Sequence, residues 1–309
     1  MKYMNRYCAD AGTANCPCPL AETGDCLICS RLSGKEKCDC RWCGICIYNE
    51  FIQNDGKAKD RRKYEKVRIL SKTRYTGALI VLELKVSKGI ALNAAMPGSF
   101  VFLKCCGQEE YYNVPISVMR ADVQNSTIFL AIKILSSKTK AIAEADEFLM
   151  LRGIYRNGLI GEGIETLEKN ERWLVMTRGA AFAPAVNLLD WSEGKGEVHM
   201  VIDTTNITEE IVCDMIKEKR PGCSEMRSLR VTMCPLEEDD RNSADEYDKV
   251  IILASDYYIR KKAEELQVPQ SKLIYSNNFH MCCGEGICGA CCHIDENGGI
   301  SKMCKCRQI

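Results

Sequence analysis

The sequence predicts a mixed β and α/β protein in four parts, and three observations carry that prediction. Cysteines crowd both ends of the chain. Residues from Tyr64 onward read as short strands separated by turns. After Glu162 strands and helices alternate. Strand-turn-strand runs suggest a small antiparallel barrel, and strand-helix alternation implies a parallel sheet with helices on its faces. The expected order is a Cys-rich metal-binding extension and linker (1–62), a β-barrel (63–163), an α/β unit (164–272) and a terminal cysteine domain (273–309).

At 309 residues, two to three domains are expected, and an apolar share of 46% is enough for real cores. Lys plus Arg equals Asp plus Glu, 42 each, so charge predicts neither nucleic acid nor membrane insertion. No stretch approaches 18 consecutive apolar residues, and the segment MKYMNRYCADAG does not resemble a signal peptide. The cysteine count, 21, stands far out. Thiols bunched with short gaps and no secretory signal read as metal sites of a cytoplasmic protein rather than as disulfides.

Residues 1–50 contain Cys8, Cys16, Cys18, Cys26, Cys29, Cys38, Cys40, Cys43 and Cys46. This block is too short and too poor in aliphatics for a core of its own, so a metal is expected to hold it. Cys26-x2-Cys29 and Cys43-x2-Cys46 have knuckle spacing. Cys16, Cys18, Cys38 and Cys40 complete the candidate ligands, and Cys8 stands apart from them. Zinc and a [4Fe–4S] cluster each need four thiolates, and cysteine count does not choose between them. Phe51–Lys63 reads as a charged linker or the solvated end of a helix.

In the barrel region, VRILSKTRYTG, ALIVLELKV, PGSFVFLKCC, YYNVPISVMRA and STIFLAIKIL read as strands, with no helix among them. A helix is expected around Thr139–Glu144, then a strand over Glu147–Arg152 that ends in Gly153-Ile-Tyr-Arg-Asn-Gly158. WLVMT, EVHMVID, LRVTMC, KVIILAS and KLIYS read as strands of the α/β unit. GAAFAPAVNLLDW, TEEIVCDMIKEK and DYYIRKKAEEL read as its helices. His199, inside a strand, reads as a core residue.

Near the carboxyl end four thiols fall as Cys283-x4-Cys288-x2-Cys291-x12-Cys304. This is the spacing of a plant-type [2Fe–2S] site, with a zinc knuckle or a set of reduced structural thiols as the alternative. The interleaved Gly284, Gly286 and Gly289 let a short loop wrap a compact core, because glycine reaches positive φ without steric cost. Cys304 is expected on a separate strand, after the turn Asp295–Gly299. Cys282, Cys292 and Cys306 fall outside this frame.

Barrel, α/β unit and ferredoxin-like cysteines, in that order, resemble the ferredoxin–NADP reductase-like electron-transfer flavoproteins over about residues 65–306. The nearest likeness is to the iron–sulfur electron-transfer subunit of dihydroorotate dehydrogenases, with the small subunits of flavin-based transhydrogenases and sulfide dehydrogenases similar. The resemblance implies an FAD-type barrel, an NAD-binding-like α/β domain and a [2Fe–2S] domain. Together they would pass electrons between FAD, and NAD(H) if it binds, and a flavin- or metal-containing partner oxidoreductase. Pro97-Gly-Ser-Phe100 resembles the family's PGQF. Pro115-Ile116-Ser117-Val118 resembles its RPxS flavin motif, with Val114 in place of the phosphate-clamping Arg. Ser136-Ser-Lys-Thr139 lies on its GxGT phosphate turn, and Gly153–Gly158 resembles its GPxxNG loop. The resemblance thus implies cofactor contacts at Pro115, Ile116, Ser117, Val118, Thr139, Gly153, Asn157, Gly158 and Gly179.

Arg178-Gly-Ala-Ala-Phe-Ala-Pro184 stands for GGxGxAP, and Ala254-Ser-Asp256 for CGP. Ala180 and Ala181 place Cβ atoms where close approach to a pyrophosphate wants glycine. These departures keep a second expectation open, a metal-binding scaffold subunit with degenerate nucleotide sites and no NAD(H) activity. A single-protein NADH-dependent reductase is a third.

Overall fold

The computed structural model describes residues 8–75, 78–163, 171–193, 195–205, 207–218, 229–296 and 298–307. The expected helix end at Lys219 and the turn residues Gly77 and Asn297 lie outside them. A helix, α1 (Ile47–Gln53), closes the cysteine-rich extension.

The barrel strands are β1 (Tyr64–Tyr75), β2 (Leu79–Lys85), β3 (Phe100–Cys105), β4 (Val114–Asp122), β5 (Thr127–Lys133) and β6 (Phe148–Tyr155). They close antiparallel in the order β1-β2-β5-β4-β3-β6. Alternate side chains of each strand turn inward, and Leu82, Leu84, Val101, Leu103, Val118 and Leu130 fill the barrel.

One helix interrupts the expected run of strands. α2 (Lys88–Ala94) lies between β2 and β3. Ser87 caps it by accepting from the Ile90 N–H, and it buries Ile90, Ala91 and Ala94. Two turns carry too little periodicity to stand out in sequence, whereas the cap and the small buried residues suffice once the barrel offers a surface. The next helix, α3 (Ser137–Glu144), falls where expected. Gly153, Ile154 and Tyr155, expected in a turn, continue β6 instead, so the turn itself is Arg156–Gly158.

The second layer is a sheet in the order β10-β9-β8-β11-β12-β7. Its strands are β7 (Leu159–Ile160), β8 (Arg172–Thr177), β9 (Glu197–Ile202), β10 (Leu229–Met233), β11 (Lys249–Leu253) and β12 (Leu273–Ser276). All pair in parallel except β7, which runs antiparallel to β12. Its helices are α4 (Phe182–Ser192), α5 (Glu209–Val212), extended by a wider turn over Cys213–Glu218, and α6 (Asp256–Glu265). Strand order reverses between β8 and β11, and open α/β sheets bind ligands in the crevice at the carboxyl ends of such a pair. Leu79, Val81 and Met119 of the barrel share one core with α4 and the sheet, so barrel and sheet pack as a continuous body. A final hairpin, β13 (Cys292–Ile294) and β14 (Ile300–Lys302), leads to Cys304, which follows the last strand rather than lying on it. Among the described residues no helix is long and apolar enough to cross a membrane.

Candidate functional site

The cysteine loop between Met281 and Cys291 is built on left-handed backbone. Gly284, Gly286 and Gly289 have φ of 70°, 80° and 74°. A Cβ on Gly284 would come within 2.7 Å of both the Phe102 and Tyr155 rings, and one on Gly286 within 2.9 Å of Leu20. The turns aim backbone N–H groups at sulfur. Glu285 N and Cys288 N donate to Cys283 Sγ at 3.4 and 3.5 Å, and Cys304 N donates to Cys291 Sγ at 3.3 Å.

The thiols also act on one another. Cys304 lies beside both Cys283 and Cys291, and Cys288 lies beside Cys283. The Cys304 side chain, with the N–H donors behind it, holds Cys283 and Cys291 low. Those same two neighbours push Cys304 up, and burial raises Cys288. All four sequence-predicted ligands therefore fall in one network. Among the described residues no three Cys, His, Asp or Glu side chains close around a single ion. Cys282 and Cys292 are exposed, and Lys302 Nζ donates to Cys292 Sγ at 3.0 Å.

Beneath the loop lies a charge network that no sequence pattern signals. Asp10 accepts from Arg62 Nη2 at 2.6 Å and from Lys305 Nζ at 2.6 Å. Glu285, inside the cysteine loop, accepts from Lys305 at 2.9 Å and from the Tyr155 hydroxyl at 2.8 Å, and lies 3.4 Å from Arg62. Lys305 is fully buried, and Asp10, Arg62 and Glu285 nearly so. Burial opposes the Asp10 charge, yet Lys305 and Arg62 outweigh it and hold that carboxyl low. Burial likewise opposes the Lys305 ammonium, and Asp10 and Glu285 outweigh it and raise its pKa. Arg62, expected in a solvated linker, is thus a buried partner of the loop.

The predicted Gly153–Gly158 segment serves the same loop. Arg152 donates to the Cys283 carbonyl at 2.9 Å. Asn157 is buried and donates to the Met303 carbonyl at 2.6 Å, while Asn277 N donates to the Gly158 carbonyl at 2.9 Å. Gly158 admits no Cβ, which would sit 2.7 Å from the Gly98 carbonyl oxygen. Asn157 and Gly158, expected as cofactor contacts, seat the terminal segment here. Gly153 packs against Val101.

The flavin-motif residues divide along β4. Ile116 and Val118 point into the barrel, whereas Pro115 is exposed and Ser117 half-buried on the outer face. Thr139 lies away from them at the start of α3. Ser136 and Thr139 cap that helix reciprocally, and Thr139 Oγ1 accepts from Leu135 N and Ser136 N at 3.0 Å each. Lys138 donates to the Tyr111 carbonyl. Arg120, the one charge on β4 able to replace the missing arginine, is held by Asp190 at 2.8 Å and by the Met215 carbonyl at 2.7 Å.

At the switch point Gly179 has φ of 61° and open space around its Cα. The residue before it is engaged by two carboxylates and a ring. The Arg178 guanidinium lies 2.9 Å from Glu237 and 3.5 Å from the buried Asp203, and 4.0 Å over the Tyr258 ring. Hydrogen bonds from Tyr258 and Arg178 hold the Glu237 carboxyl down to about 2. Asp203 also accepts from Thr205 N and Leu236 N. Asp256 accepts from Asn278. The sequence reading named Asp256 and missed Asp203 and Glu237. Asp203 carried a usable signal, as an acid just past the second parallel strand, where dinucleotide folds keep a ribose-binding carboxylate.

No family model and no curated protein matches the chain. Solved structures do. An NADH-dependent reduced ferredoxin–NADP oxidoreductase, described for flavin-based electron bifurcation, is 15% identical over 77% of this chain and 84% of its own, with a TM-score of 0.57. The ferredoxin reductase in carbazole 1,9a-dioxygenase is 13% identical over 70% of each chain, TM-score 0.52. A ferredoxin NADP+ reductase from Neisseria gonorrhoeae, with bound FAD and NADP, is 12% identical over 70% of this chain and 99% of its own, TM-score 0.50. A closed six-stranded barrel packed on a parallel sheet with its switch point between β8 and β11 is thus the fold of the ferredoxin–NADP reductase-like electron-transfer flavoproteins.

Proposed function

We propose that this chain is an iron–sulfur electron-transfer subunit of the flavoprotein oxidoreductase type, working with a flavin- or metal-containing partner. The reading takes the electron-transfer subunit of dihydroorotate dehydrogenases as its type, on the order of barrel, α/β unit and cysteine loop. One observation carries the reading: Cys283, Cys288, Cys291 and Cys304 share one loop network in which N–H groups donate to sulfur.

The donor set fits a [2Fe–2S] cluster. Four thiolates divided over two irons need not converge on one point, and N–H donors to sulfur tune such clusters. When bound, the cluster supplies one-electron transfer. The chain's own part is positional. Three left-handed glycines shape the cradle, and the Glu285 network and Arg152 fix the loop to the barrel. The buried rings of Tyr155 and Phe102 stand against Gly284 and exclude water.

For FAD the two sides differ. The outer face of β4, at Pro115 and Ser117, suits the ring side. The phosphate side offers an uncharged Val114, a self-capped α3 and an Arg120 already engaged. Flavin content per chain is the quantity to measure. Anaerobically purified chain should contain iron and acid-labile sulfide in equal amounts and give a paramagnetic [2Fe–2S] signal on reduction. Colourless, iron-free protein that is folded would refute the proposal.

The closed switch-point crevice favours a second reading for the nicotinamide side alone, a degenerate site that takes no NAD(H). NADH that bleaches the protein's own chromophores would rule this out.

A further inference from the structure

The thiols of the cysteine-rich extension are not all arranged alike. Cys38 and Cys40 stand with their sulfurs 3.8 Å apart. Cys38 is exposed and Cys40 half-buried. The backbone around them is fixed. The buried Ser30 hydroxyl accepts from the Asp39 N–H at 3.0 Å and donates to the Lys37 carbonyl at 3.5 Å. Lys35 Nζ pairs with the Asp39 carboxylate at 2.7 Å. Asp39 is thereby held toward Lys35, and the thiols on either side of it meet. The Trp42 N–H donates to Cys40 Sγ.

The other thiols nearby are placed differently. Cys43 Sγ donates to the Arg41 carbonyl at 3.6 Å. Cys46 is exposed and precedes α1. Cys26 Sγ accepts from the Cys29 N–H at 3.3 Å. Among the described residues no third Cys, His, Asp or Glu joins a group that would hold an ion. Two thiols alone are the complement of a disulfide. Its sulfurs bond at about 2.05 Å, so this pair closes by rotating two solvent-facing side chains. One intervening residue makes the resulting ring short and strained. Strained, exposed disulfides are the readily exchanged ones. The spacing suits a bond made and broken repeatedly, not a permanent staple.

We propose that Cys38 and Cys40 form a redox-active dithiol that exchanges with low-molecular-weight disulfides of the glutathione type. Cys38, the more exposed thiol, attacks one sulfur of the small disulfide as its thiolate. A mixed disulfide forms at Cys38, the S–S bond of the small molecule breaks, and one small thiolate leaves. Cys40 Sγ then attacks Cys38 Sγ. The Cys38–Cys40 bond forms, the mixed disulfide breaks, and the second small thiolate leaves. The two thiol protons pass through solvent to the two departing thiolates. The dithiol loses two electrons and the small disulfide gains them. Nothing in this exchange uses the loop at Cys283–Cys304.

The test incubates the full chain, purified anaerobically, with oxidised glutathione and then alkylates the remaining thiols. Lys37 and Arg41 bracket the pair, so trypsin releases the fragment Cys38–Arg41 with no other cysteine in it. Mass spectrometry should show that fragment two hydrogens lighter, free of glutathione, and restored by dithiothreitol. In Cys40→Ser the fragment should stop with one glutathione on Cys38. Cys43→Ser should match wild type. If a variant does not fold, the wild-type fragment decides alone. Wild type that keeps glutathione on Cys38 overturns the proposal, and so does Cys38 joined to Cys43 or Cys46. Exchange that begins only after a chelator is added overturns it too, because the pair would then be holding a metal.

Discussion

The cysteine loop and the switch-point crevice both gather charged side chains, and they are built in opposite ways. In the loop the charges lie behind the ligands. Asp10, Arg62, Glu285 and Lys305 satisfy one another beneath the backbone and leave the thiols to face one another. At the carboxyl ends of β8 and β9 the charges pair with one another near the surface, Arg178 with Glu237 and Asp203. Buried charges stabilise a site when they support its walls, and they close it when they span its mouth.

The sharpest way to break the comparison is to remove a ligand. Cys304→Ala should abolish the cluster outright, with loss of its iron, sulfide and reduced-state signal. Cys304 sits beside both Cys283 and Cys291 and is buried, so no exposed neighbour can take its place. Full retention of the signal would mean that the loop network is only a set of reduced structural thiols.

Next in size is the support beneath. Lys305→Met leaves Asp10 and Glu285 with Arg62 as the remaining cation of the network, and breaking a buried pair by removing one partner costs about 3–5 kcal/mol. Denaturant unfolding should show that loss, and Asp10→Asn should show a comparable one. The pH dependence gives the sign. The folded-state pKa of Asp10 lies below its ordinary 3.8. Its contribution is therefore complete above that value and is lost as pH falls through the lower folded-state value. Wild type should lose stability below about pH 4 more steeply than Asp10→Asn does. Parallel acid limbs would mean that Asp10 carries no net charge-pair stabilisation.

Gly284→Ala follows. It combines a left-handed backbone with a Cβ 2.7 Å from two buried rings. Overpacking costs about 1–3 kcal/mol and a non-glycine residue in the left-handed region about 1 kcal/mol more. Gly179→Ala, with the same sign of φ but open space around it, should cost only the backbone part. Equal losses in thermal unfolding would show that the rings give way easily.

What the sequence made legible follows from range. The barrel strands are local patterns of alternation and close as they read, and the Cys283–Cys304 spacing is local too, with its three glycines in left-handed turns. α2 was hidden because seven residues show little periodicity. The charge network was hidden more deeply. Asp10, Arg62, Glu285 and Lys305 come from four distant points, and each reads as an ordinary surface charge until the chain ends meet. Arg62 sits in a run, KDRRK, whose composition is that of a solvated linker. The backbone bridge of Cys8 was hidden for the same reason. Its neighbour across the bridge, Cys306, lies at the other end of the chain.

The smallest effect belongs to the crevice, and it sharpens the contrast most. Arg178 pairs with Glu237, which is 42% exposed, and with Asp203, which is fully buried but keeps two backbone N–H donors of its own. Arg178→Ala should therefore cost about 1 kcal/mol or less, as partly exposed pairs do, against several for Lys305→Met. It should not create a nicotinamide site either. With the guanidinium gone, Asp203, Glu237 and Asp256 still face any incoming phosphate with negative charge, and like charges there oppose binding. NADH titration monitored by protein fluorescence should stay flat in wild type and in Arg178→Ala alike. Saturable quenching in wild type would show that Arg178 leaves its carboxylates for the nucleotide, and the crevice would then be a gate rather than a plug.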